Sequence, residues 1–169
     1  MNSPHIDLDL VYHVDDAAYS LPPPPDPRIR QAALWIAQQF DLHRLYASIA
    51  IVDDATIQTL NAQRLGHDWP TDVISFELDY RDRMVEGEVI ASVETAVRVC
   101  NAAGWPIADE LLLYVIHGLL HVAGMDDQDD AERLAMRELE QACLLAVGVT
   151  QAALHVQRFD SIYDSEAQQ

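Results

Sequence analysis

Residues 111–124 read LLLYVIHGLLHVAG, an apolar helical run interrupted only by His117, Gly118 and His121. Pro106 opens this helix, which is expected over about 107–122, and Gly124 ends it as a left-handed C-cap would. The two imidazoles stand four residues apart. That spacing puts them on one helical face, one above the other. Burying two imidazoles without partners is costly, so the helix needs a chemical reason for them. Two neutral imidazoles so placed can ligate one Zn²⁺ at about 2.0–2.1 Å each. Gly124 lets the chain turn sharply, and a residue ten after His117 can then swing back over the pair. That residue is Asp127, whose carboxylate is an acceptable zinc ligand. Three protein ligands leave a position open, as in a catalytic rather than a structural site.

The competing reading is a pair of packed core histidines. It leaves Gly118 unexplained, since glycine inside a helix costs roughly 1 kcal/mol relative to alanine. Close approach of another segment at the metal would supply a reason. The peptidase motif His-Glu-x-x-His is not matched, because Gly118 stands where its general base would be. The glycine at plus seven and the ligand at plus ten share site geometry with metzincins and nothing more.

The rest of the chain alternates strand-like and helix-like segments. Residues 6–12 alternate apolar and polar as a half-buried strand does. Pro22–Pro25 form a stiff connector. Asp26 and Pro27 supply an N-cap and first residue for a helix to about 42. Residues 45–52 read as a strand, and Asp53 or Asp54 caps a short helix to about 64. Strands are expected at 72–78 and 87–91, joined by the charged loop DYRDRMVEG. Ser92 caps a helix ending near Gly104, and Asp130 caps a final amphipathic helix to about 146. Both cysteines, Cys100 and Cys143, fall in helical apolar patterns and read as buried thiols. The expected fold class is α+β: a single domain with a small mixed, mostly parallel sheet of about four strands and about five helices, with the metal site in a cleft. The domain is expected over 1–158, with a loose acidic tail over 159–169.

Charge restricts function. The 169 residues carry 28 Asp+Glu against 10 Lys+Arg, a net charge of −18, and every one of those cations is Arg. Such a chain is repelled by nucleic acid at long range, which counts against a nucleic-acid function unless a local Arg patch defeats it. No apolar run reaches the ~18 residues of a membrane span. The N-terminus lacks a signal-peptide pattern, and two cysteines make no disulfide framework. These features read as cytoplasmic.

Three segments in order resemble the YbeY family of bacterial metal-dependent endoribonucleases, also called rRNA maturation factors. The family signature His-Gly-x-Leu-His-Leu-x-Gly-Tyr-Asp-His matches His117-Gly118-Leu119-Leu120-His121-Val122-Ala123-Gly124-Met125-Asp126-Asp127. Pro-Thr-Asp-Val-Leu-Ser-Phe appears as Pro70-Thr71-Asp72-Val73-Ile74-Ser75-Phe76, and Gly-Asp-Ile-x-Ile-Ser as Gly87-Glu88-Val89-Ile90-Ala91-Ser92. The resemblance implies an α+β fold, a divalent metal usually described as zinc, and single-strand-specific RNA cleavage. It further implies maturation of the 3′ end of 16S rRNA, a part in ribosome quality control, and the ribosomal small subunit as partner.

Two departures matter. The third ligand, His in the family, is Asp127. A carboxylate makes the centre less positive and favours harder ions such as Mn²⁺ or Mg²⁺, with Ni²⁺ another candidate. The family's arginine falls at Leu65, with Arg64 one residue earlier; Arg64 is the candidate for offsetting transition-state charge. His67 stands where the family has Lys and is a weaker phosphate contact, Asp126 is the candidate general base, and Thr71 or Asp72 a candidate cleft wall. Arg81 and Arg83 are further sources of local attraction to RNA. Two other functions fit: a non-catalytic ribosome assembly factor with a degenerate site, or a metzincin-like metallohydrolase. An acidic surface also suits basic ribosomal proteins as recruiting partners.

Overall fold

The computed structural model describes residues 3–22 and 26–154. In chain order the elements are β1 (His5–Tyr12), α1 (Pro27–Gln39), β2 (Arg44–Val52), α2 (Asp54–Leu65), β3 (Val73–Arg81), β4 (Met84–Ser92), α3 (Val93–Ala103), α4 (Ile107–Val122) and α5 (Asp130–Ala146). Short 3₁₀ turns lie at Asp16–Tyr19 and Thr150–Leu154. The expected tail over 159–169 and residues 23–25 of the proline connector lie outside the described residues.

Local chemistry sets the element ends. Asp26 accepts from Arg28 N at 3.0 Å with Pro27 as the first helical residue, Asp53 from Thr56 N at 2.8 Å, and Ser92 from Thr95 N at 3.1 Å. The α5 cap is Asp129 rather than Asp130. Asp129 and Glu132 form a reciprocal capping box, which satisfies two backbone N–H groups at once and outcompetes a cap one residue later. Helix α1 stops at Gln39, and Asp41 turns the chain with φ of 53°.

The sheet order is β1-β2-β4-β3, with β1, β2 and β4 mutually parallel and β3 antiparallel at one edge. The fold is therefore α+β with a mixed, mostly parallel four-stranded sheet and five helices. The loop expected between β3 and β4 is far shorter than its charge suggests. Both strands run on through the charged residues, leaving Asp82 and Arg83 as a two-residue turn with φ of 51° and 62°. A turn with both φ values positive matches the right-handed strand twist, and at an exposed sheet end charged side chains do not interrupt the backbone ladder.

The helix that dominates the sequence dominates the core. Between Asp109 and Val122 every residue of α4 is buried except His117 and His121. It lies on the sheet face that presents Val73, Val85, Val89 and Ala91, and α1, α3 and α5 pack around it. Two glycines bring helix and sheet together. A Cβ on Gly118 would stand 2.6 Å from Val89 Cγ1, and one on Gly87 would stand 2.5 Å from Val122 Cγ1. The close approach that Gly118 called for is thus made by the sheet. Helix α2 covers the opposite face through Ile57 and Leu60 against Val52, Ile74, Phe76 and Ile90. Cys100 and Cys143 are both buried, and burial pushes the Cys143 thiol up to about 12. Among the described residues no single helix is long and apolar enough to cross a membrane.

Candidate metal centre

His117 and His121 are one helical turn apart, so their rings meet edge to face with centroids 4.5 Å apart. Their Nε2 atoms are 3.0 Å apart. After α4 ends, Gly124 takes φ of 97°, and the turn returns Asp127 to the pair. Asp127 Oδ2 lies 3.6 Å from each Nε2. Tetrahedral ligands at 2.0–2.1 Å from one ion stand about 3.3 Å apart, close to this triangle.

The hydrogen bonds behind the triangle show what it wants. His121 Nδ1 lies 2.9 Å from the carbonyl oxygen of Met125, which only accepts, so Nδ1 carries the proton. His117 Nδ1 donates to the Glu140 carboxylate at 2.6 Å. In the neutral rings both Nε2 atoms then present lone pairs to each other and to a carboxylate oxygen. Three electron-rich atoms converge within 4.8 Å of one another, an arrangement a divalent cation stabilises. The residues present fit a divalent metal held by His117, His121 and Asp127, with Glu140 and the Met125 carbonyl fixing the tautomers. Burial alone would disfavour protonation of His117. The hydrogen bond to Glu140, its charge, and the charges of Asp72 and Asp127 outweigh burial and hold the imidazole above its ordinary pKa.

The centre opens into a cleft of about 420 Å³ whose walls include Asp72, Tyr114, Met136, Arg133, Arg137 and Glu140. Asp72 is the cleft-wall residue expected from the sequence; its side chain also accepts from Thr71 Oγ1 and Val73 N. The structure does not bring Arg64 there. Arg64 sits on α2, bonded to Glu88 at 2.6 Å and stacked over Phe76 at 4.9 Å. Glu88 and Phe76 are register partners on the sheet face opposite α4, because successive strand residues point to opposite faces. Asp126 is exposed, and its two oxygens accept from Asp127 N and Gln128 Nε2, so it shapes the ligand turn. His67 stacks on Trp69 at 4.6 Å in the loop before β3. Arg81 pairs with Asp79 and Arg83 with Asp41, at the hairpin end of the sheet.

Sequence reasoning passed over Glu140, Arg133 and Arg137. Glu140 had a legible signal. It occupies a core position of α5, in one stripe with Met136, Cys143 and Leu144, and is only 3% exposed. A lone carboxylate in an apolar stripe implies a partner.

A family profile described as Endoribonuclease YbeY matches residues 28–148. A Rhodopirellula baltica protein named Endoribonuclease YbeY is 44% identical over 123 residues, covering 72% of this chain and 63% of that protein, so this chain spans less than two thirds of that relative. Proteins of the same name from Paramagnetospirillum magneticum and Carboxydothermus hydrogenoformans are each 40% identical, over 110 and 103 residues. Both alignments cover 60% of this chain, with 67% and 72% of the relatives. The solution structure of a Thermotoga maritima protein superposes with a TM-score of 0.61 at 22% identity, covering 89% of this chain and 95% of that one, which supports the fold. The family model alone spans well over half of the sequence, and the chain belongs to the endoribonuclease YbeY family.

Proposed function

We propose that this chain is a metal-dependent endoribonuclease that hydrolyses single-stranded RNA during maturation of the 3′ end of 16S rRNA. The observation that carries the reading is the convergence of His117 Nε2, His121 Nε2 and Asp127 Oδ2 at the mouth of a cleft, in a chain of an endoribonuclease family. A divalent ion bound there would acidify a water and offset charge on a phosphoryl oxygen.

This chain's own residues do the rest. His117 Nδ1 donates to Glu140 in a hydrogen bond of 2.6 Å, and His121 Nδ1 donates to the Met125 carbonyl at 2.9 Å. Both rings are thereby held in the tautomer that turns a lone pair toward the cleft, with no reorganisation left for the moment of reaction. Asp126 holds the turn that presents Asp127. Zinc is the leading ion; Asp127 lowers the positive charge of the centre relative to a three-histidine site and so brings manganese, nickel or magnesium closer as competitors. Gly118 lies against Val89 with no room for a side chain, so the site has no Glu in the peptidase position and the reading is a nuclease rather than a peptidase.

A net charge of −18 favours recruitment through basic ribosomal proteins over capture of free rRNA. By its family resemblance the chain would act in the cytoplasm on the small ribosomal subunit, with a part in ribosome quality control. The test is cleavage of a single-stranded 16S precursor fragment by purified protein, with His117→Ala and His121→Ala alongside. Metal-dependent cleavage lost in both variants is the expected result; cleavage that persists unchanged in both overturns the proposal.

A further inference from the structure

In so acidic a chain the attraction of a phosphodiester to the cleft has to come from cations placed at the cleft itself. Arg64 is across the sheet. Arg81 and Arg83 lie at the hairpin end of the sheet, away from the cleft. The arginines that line the cleft are Arg133 and Arg137 of α5. They stand one turn apart, and Glu140 follows at the next turn on the same face. The stripe that grips His117 through Glu140 therefore continues away from the metal centre as two guanidinium groups.

The charges decide the sign of the cleft. Asp72, Asp127 and Glu140 bring three negative charges to its wall, Asp130 pairs with Arg133 as a fourth, and the two arginines bring two positive ones. With a divalent ion and neutral imidazoles the sum is zero. Without the arginines it is two negative charges, and the loaded site would repel its substrate. Arg133 also ties the cleft wall to the ligand turn, since its Nη1 donates to the carbonyl oxygens of Gln128 at 2.7 Å and Asp127 at 3.2 Å.

We infer that Arg137 and Arg133 are the phosphate-binding wall of this site, and that they hold the RNA backbone alongside the metal centre in the role Arg64 was expected to fill. The inference rests on the ribonuclease reading and names the residues that position its substrate. Both are positioning residues.

The experiment measures binding. Metal-loaded full-length protein is titrated with a 2′-O-methyl single-stranded RNA decamer, verified to be intact after each titration, across a salt series. Arg137→Gln is expected to weaken binding about tenfold and to lower the magnitude of the salt slope by about 0.7, the loss of one single-strand phosphate contact. Arg137→Lys keeps the charge and should keep the slope. Arg133→Gln should act in the same direction. Arg30→Gln, an equal loss of charge at an exposed site on α1, should leave both quantities in place. Unchanged affinity and slope in Arg137→Gln, or an equal effect of Arg30→Gln, overturns the inference. His117-dependent cleavage with Arg137→Gln binding unchanged defeats this proposal alone. Arginine-dependent binding without any cleavage defeats the ribonuclease reading alone, and a wild-type chain that neither binds nor cleaves defeats both.

Discussion

Glu140 Oε1 lies 2.6 Å from His117 Nδ1, and the carboxylate is nearly sealed from solvent. A buried carboxylate bonded to the far nitrogen of a metal-ligating imidazole sets the tautomer and raises the basicity of the near nitrogen. Replacing it with glutamine keeps an acceptor but removes the charge. Glu140→Gln is expected to lower zinc affinity about tenfold, and Glu140→Ala by up to about a hundredfold. Competition with a chelator of known affinity measures both, and affinity equal to wild type in the alanine variant would show that the contact does not tune the site.

Asp127→His restores a third imidazole. The softer, neutral ligand should favour zinc over manganese, raising the ratio of the two affinities about tenfold or more. Parallel titrations with the two ions check the ratio. An unchanged ratio would mean that Asp127 does not ligate.

Gly118→Ala sets two effects against each other. Alanine gains roughly 1 kcal/mol in helix propensity, while its Cβ meets Val89 Cγ1 at 2.6 Å inside a fully buried contact. Overpacking of this kind costs about 1–3 kcal/mol, and the same α4–β4 contact also involves Gly87 and Val122, so the clash should win. Denaturant unfolding should show a net loss of up to about 2 kcal/mol, reduced when Val89→Ala is added. A stabilised Gly118→Ala would refute the packing account.

Asp54 gives the fold a pH signature away from the metal. Burial alone would raise its pKa. Hydrogen bonds from Ser92 Oγ and Thr95 Oγ1, with the Arg98 ion pair, outweigh burial and hold it below the ordinary aspartate range. A depressed folded-state pKa contributes stability above the unfolded value of about 3.9 and loses it as pH falls through the folded value. Asp54→Asn should therefore be less stable than wild type at neutral pH, with the gap closing in acid below about pH 4. Urea midpoints across pH 2.5–7 measure this; a gap that does not narrow in acid counts against the assignment.

What could be read from the sequence was local. His117, His121 and Asp127 were legible because helical spacing and one glycine turn fix their geometry within eleven residues. Asp26, Asp53 and Ser92 were legible as caps because a cap bonds two or three residues ahead. Arg64 shows where local reasoning stops. Its neighbourhood matched a family segment, yet its side chain serves the α2 face because its partners Phe76 and Glu88 point away from α4. Arg133 and Arg137 come from the other direction: α5 folds back over α4, a tertiary event that residue spacing does not encode. The β3–β4 turn was missed because charge suggests a loop, while two residues with positive φ were enough to close the hairpin.

The near-complete burial of α4 has a consequence for how such a site can change over time. His117 and His121 are carried by the one element that cannot shift without disturbing every layer around it. Asp127 and the two cleft arginines belong to a surface turn and to the half-buried cleft side of α5. The centre thus has an immovable half and an interchangeable half. Metal choice and substrate grip can be retuned by single substitutions in the second half, while the pair of imidazoles stays where the core put it.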